Sequence, residues 1–135
     1  MDEDSLRDEL GIRRTLAAYC HLCDDGAADE LVALFTPDGA VIYGEQQSCG
    51  PEAIHAFFYK RQAMPEQRGK HLTMNTVVDI EGNRARALSD FLYLKFVDGV
   101  LTPHVTGRYR DELARVNGQW RFVRREILRL DARGS

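Results

Sequence analysis

Between Ser5 and Asp24 the apolar positions Ile12, Leu16, Tyr19, Cys20 and Cys23 recur at intervals of three and four, the period of a helix with one buried face. Ser5 with Asp8 three residues on resembles a capping box, so the first helix is expected over 5–24. Leu31, Leu34 and Phe35 keep helical spacing and predict a short second helix, which Thr36-Pro-Asp-Gly39 ends. Ala40-Val-Ile-Tyr43 then reads as a strand of 40–43. Gly50-Pro51 opens a third helix, proline suiting the first helical position, with Ile54, Phe57 and Phe58 on its inner face. Pro65 and the polar stretch Glu66–Gly69 close it.

Beyond Lys70 the period drops to two. Four strand-like runs, near 70–80, 84–97, 104–115 and 119–129, are separated by the turn signals Glu-Gly-Asn83, Asp-Gly99 and Asn-Gly118. Hairpin turns imply an antiparallel meander. Runs this long exceed the usual strand, so the sheet should twist and curl, with Gly107 as a bulge or bend. The predicted class is α+β: a cone-shaped, curled antiparallel sheet with three N-terminal helices enclosing a pocket, in a single domain over 1–135. Residues 1–4 and Asp131–Ser135 read as tails.

Helical phase singles out one carboxylate. At about 100° per residue, Asp24 falls about 90° from the centre of the apolar stripe, at the edge of the buried face. Asp25 points away from that face, and Gly26 suits the left-handed turn that stops a helix. In the first long strand His71, Thr73, Asn75 and Val77 alternate with Leu72, Met74, Val78 and Ile80. If the second set packs in a core or subunit interface, His71 and its polar neighbours line the pocket. The other histidines are weaker candidates: His21 faces solvent, His55 sits beside an apolar stripe, and His104 begins a strand after Pro103.

Composition narrows the functional classes. A formal net charge of −3 without a basic run argues against a nucleic-acid surface. There is no apolar run long enough to span a membrane and no charged-then-apolar leader, so the cytoplasm is the expected compartment. Three cysteines are not a disulfide framework, and Cys20 and Cys23 lie on the packing stripe as small core residues. Neither a glycine-rich phosphate loop nor a nucleophile elbow nor a metal-spaced cluster is present, so no cofactor and no metal are expected. Asp24 and Asp25 diverge on the helix and do not form a glycosidase pair.

The order of elements, with Tyr19-x4-Asp24, Leu31-x2-Leu34-Phe35-x-Pro-Asp38, Gly50-Pro-Glu-Ala-Ile54, His71-x3-Asn75 and Gly107-Arg-Tyr109 followed by Asn-Gly-x-Trp120, resembles the SnoaL-like branch of the nuclear-transport-factor-two-like superfamily. Within it the chain looks most like the lineage of scytalone dehydratase, hexachlorocyclohexane dehydrochlorinase and bile-acid dehydratases. That resemblance implies an Asp–His dyad of Asp24 and His71 working without a cofactor, with Tyr19, Tyr43 and Asn75 as substrate-binding residues. A second histidine of scytalone dehydratase has no counterpart, since a strand count lands near Phe96; scytalone itself is therefore not the expected substrate. The Asp-Arg-Asp set of the epoxide hydrolases cannot be placed either. The implied activity is a dehydratase or isomerase on a small, mostly apolar cyclic substrate such as a steroid, polyketide or hydroxylated aromatic. A non-catalytic ligand-binding or assembly module and a polyketide cyclase are the alternatives. A homodimer or homotrimer covering Leu72, Met74 and Val78 is expected, because a sheet with one face on the pocket leaves the other to be buried.

Overall fold

The computed structural model describes residues 2–130; the tail expected at Asp131–Ser135 lies outside them. Helix α1 (Glu3–Asp24) is followed by α2 (Ala28–Ala33), β1 (Phe35–Tyr43), β2 (Gln46–Cys49), α3 (Pro51–Gln62), a 3₁₀ turn at Pro65–Gln67, and then β3 (Lys70–Glu81), β4 (Arg84–Val97), β5 (Val100–Val116) and β6 (Gln119–Leu130). The strands form one curled, unclosed sheet of order β2-β1-β6-β5-β4-β3. Every pairing is antiparallel except β1 with β6, which is parallel.

Two local expectations are corrected. The N-cap of α1 is Asp2, not Ser5: the Asp2 carboxylate accepts the Ser5 N–H at 2.7 Å, so Glu3 and Asp4 are helical and not tail. Thr36-Pro-Asp-Gly39 does not break the chain but is carried inside β1, as an irregularity in its pairing with β6 between Phe35 and Ala40. Strand β2 was not visible as a pattern; its four residues are ordered by pairing with Ala40–Tyr43. Gly107 is required by a close approach, since a Cβ there would run into the Leu128 carbonyl of the neighbouring strand.

The helices cover the concave face. Ile12, Leu16, Tyr19 and Cys23 of α1, Leu31 of α2 and Phe58 of α3 pack against Phe91, Tyr109, Leu113 and Phe122 of the sheet. Each such side chain contributes about 1.5–3 kcal/mol by leaving water. Polar contacts register α1 on β6: Thr15 donates to the Trp120 carbonyl at 2.7 Å and the Trp120 indole to Asp8 at 3.1 Å. The convex face stays open and carries exposed Leu72, Met74, Val77 and Leu88.

Candidate active site

Asp24 lies in the last turn of α1, where the chain stops in a Schellman-type end. Gly26, at φ 69°, donates to the Cys23 carbonyl and Ala27 to that of Leu22. The helical phase holds: the Asp24 side chain is 8% exposed, whereas Asp25 faces water. His71, the second residue of β3, is brought to it from 47 residues away. Its Nδ1 lies 2.7 Å from Asp24 Oδ1, and its peptide N–H donates to the same oxygen at 2.9 Å. An ionised carboxylate only accepts, so Nδ1 carries the proton and the free lone pair of a neutral ring is on Nε2. Nε2 has no partner among the described residues.

His71 opens onto a cavity of about 430 Å³ between α1, α3 and the concave sheet. Tyr19, Phe57, Phe58, Phe91, Tyr109 and Ile127 make its apolar walls, and Tyr43 and Gln62 add polar groups. Tyr93, paired across the strands with His71, places its ring centroid 4.5 Å from the imidazole. The Tyr93 hydroxyl donates to the Gln67 carbonyl at 2.7 Å, which pins the ring there. Burial, and then the Asp24 charge, push the Tyr93 phenol above its usual pKa. Tyr19 is ringed edge-on by Phe58, Tyr109 and Phe122, and burial raises its pKa far enough to keep it a neutral phenol. Tyr43 accepts from Arg129 Nη1 at 3.3 Å, which leaves its own hydroxyl proton for a ligand. Among the described residues, no three His, Cys, Asp or Glu side chains are gathered where they could hold a metal ion. No helix of the described residues is long and apolar enough to cross a membrane.

Asp24, His71, Tyr19 and Tyr43 are thus brought together; Asn75 is not. A bulge interrupts β3 between Met74 and Val77, with Asn75 at φ 56°, and it inverts the alternation of the strand. Asn75 turns outward and donates to Asp90 at 2.9 Å, while Thr76 turns inward and bonds Ser89. The same bulge puts Val78 and Ile80 against the core and leaves Leu72 and Met74 outside, so the expected apolar face is split. Phe96, where the strand count for a second histidine landed, is exposed. His104 does reach the cavity, at a bulge within β5 and not at a strand start. Tyr93, Arg61 and Arg129 are not singled out by the sequence, and Tyr109 enters there only as part of the family motif; the alternation Phe91, Tyr93, Lys95 is the available signal for the first of them.

The solved structures most informative for comparison share this architecture. An NTF2-like protein with a cystatin-like fold from Novosphingobium aromaticivorans is 30% identical, with a TM-score of 0.88 over 96% of this chain and 86% of that one. A candidate scytalone dehydratase from the same organism is 25% identical, with a TM-score of 0.84 over 96% and 88% of the two chains. The beta subunit of a candidate aromatic-ring-hydroxylating dioxygenase, again from that organism, is 18% identical with a TM-score of 0.80 over 94% and 92%, a likeness of fold alone. No curated protein sequence matches. The family model of the SnoaL-like domain matches residues 4–126, and the chain belongs to that family.

Proposed function

We propose that the protein is a cofactor-independent dehydratase or isomerase acting on a small, mostly apolar ring compound, such as a steroid, a polyketide or a hydroxylated aromatic. The observation that carries this reading is the 2.7 Å Asp24–His71 bond at the wall of an aromatic cavity. Its resemblance to a candidate scytalone dehydratase supports the same class of chemistry. Elimination of water needs a base of near-neutral pKa, and an imidazole meets that need. His71 Nε2 takes a proton from the carbon next to the one bearing the hydroxyl; a C=C bond forms as the C–O bond breaks, and the hydroxyl leaves as water with the proton the imidazolium returns, while Asp24 accepts the Nδ1–H, holds the tautomer and stabilises that imidazolium. The Tyr43 and Tyr19 phenols are the donors for charge developing on the substrate oxygen. In an isomerase the same base returns the proton to another carbon. The exposed Leu72, Met74, Val77 and Leu88 are the surface through which we infer that the protein forms a homodimer or homotrimer, checked by light scattering at micromolar concentration.

The test is a screen of hydroxy-steroids, hydroxylated aromatics and polyketide-like ketones for loss of water or movement of a double bond. Turnover that vanishes in His71→Ala is expected. Turnover that persists in that variant removes the mechanism, and binding of a ring compound without any turnover makes the domain a binding module.

A further inference from the structure

The charge of the cavity is one-sided. Lys60, Arg61, Lys95 and Arg129 line it with His71 and His104, and no carboxylate does so among the described residues, in a chain whose formal net charge is −3. Asp24 stands behind His71 and is engaged by it. Two of the four cations converge on one phenol. The Arg61 guanidinium lies 3.8 Å from the Phe57 ring centroid and 5.3 Å from that of Tyr43, while Arg129 bonds the Tyr43 hydroxyl. Arg61 is held there by the Phe57 carbonyl at 3.0 Å and the Gln46 amide oxygen at 3.3 Å, both neutral acceptors. Its burial lowers its pKa, and no carboxylate lies within ion-pair distance of either arginine among the described residues.

Lys60 and Arg129 stand exposed at the rim, whereas Arg61 is part-buried without a carboxylate, and a part-buried charge gains by pairing with an anion. A guanidinium presents a planar fork of donors matched to a carboxylate. We propose that Arg61 and Arg129, assembled on Tyr43, bind a carboxylate borne by the ring substrate, so that its ring lies on the aromatic wall within reach of His71. The substrate class narrows accordingly from neutral rings to ring acids. This inference rests on the cavity being the reaction site proposed above, but its test does not depend on turnover.

Calorimetric titration with 2-naphthoate and its neutral partner 2-naphthamide compares wild type with Arg61→Gln, Arg129→Gln and His71→Ala. The wild type is expected to prefer the acid by about tenfold or more, the size of a charge-assisted hydrogen bond. Arg61→Gln and Arg129→Gln should each remove most of that preference while naphthamide still binds, which shows the cavity intact. His71→Ala should keep the preference. Equal affinity of wild type for acid and amide overturns the proposal, as does a preference that survives in the double arginine variant. An intact acid preference with no elimination from any hydroxylated ring acid leaves the anion site standing and removes the reaction assignment. Elimination from neutral alcohols without an acid preference does the reverse.

Discussion

Two buried carboxylates, Asp24 and Asp111, each hold a nitrogen base, and they do so in opposite settings. Asp111 and Arg125 face each other across β5 and β6, both side chains 0% exposed, joined at 2.9 and 3.2 Å. The guanidinium is further sandwiched by Tyr109 at 3.6 Å and Tyr19 at 4.1 Å from the ring centroids. Burial works against the Arg125 charge, but the Asp111 carboxylate and the two phenols outweigh it and raise the pKa. The guanidinium therefore keeps its proton, while burial pushes the Asp111 carboxyl up to about 6. Asp24 and His71 meet at 2.7 Å, but there the imidazole, 13% exposed, opens onto the cavity. In the proposed function the Asp24–His71 pair serves chemistry because a ligand can reach its imidazole, whereas the Asp111–Arg125 pair, closed off on every side, serves packing.

The largest expected effect separates the two pairs by activity. Asp24→Asn and His71→Ala should each lower turnover by about 10²–10⁴-fold, the usual worth of a general base. Thermal midpoints should barely change in Asp24→Asn, because an amide oxygen can still accept the His71 peptide N–H. Full activity in either variant breaks the contrast.

Stability should show the converse. Asp111→Asn or Arg125→Met leaves half of a buried ion pair, at a cost of about 3–5 kcal/mol in urea denaturation. The double variant Asp111→Leu/Arg125→Met should recover much of that loss. A single-variant cost within the scatter of surface substitutions would show that the pair is not holding the core.

Alkaline pH sharpens the comparison, since it acts on the neighbours of Arg125. Burial first of all raises the pKa of Cys23, Tyr19 and Tyr109 above the unfolded values of 9.0 and 10.0. Their contribution to stability is complete below pH 9 and is lost as pH rises, because the unfolded chain then gives up protons that the folded chain keeps. Each group ionised only in the unfolded state steepens the fall by about 1.4 kcal/mol per pH unit. Denaturant midpoints should therefore decline above pH 9, less so in Tyr19→Phe. A flat profile to strongly alkaline pH would contradict the burial of these groups.

The smallest effect is Asp25→Asn, next in sequence to the proposed catalytic carboxylate. Its exposed side chain predicts a stability change within about 0.5 kcal/mol and unchanged turnover. Losses equal to those of Asp24→Asn would refute the assignment of roles by helical phase.

Helical phase and turn chemistry are local, and they were legible in the residues themselves. The stripe from Ile12 to Cys23 placed Asp24 inward and Asp25 outward, and the three Gly-containing turns marked the hairpins of β3 to β6. The motif spacing points to the family that the match over residues 4–126 bears out. Neighbours in space decided the rest. β1 begins at Phe35 because it pairs in parallel with β6, Phe35 lying beside Phe122, which overrides the breaker residues inside it. Asn75 left the pocket because one bulge, set by pairing with β4, reverses every later side chain of its strand. Lys60, Arg61, Lys95 and Arg129 are ordinary surface residues until the curl of the sheet brings two strands and a helix end around one cavity. Local periods follow from bond geometry and can be read from the chain, whereas a bulge, a parallel pairing or a cluster of like charges exists only when distant segments meet.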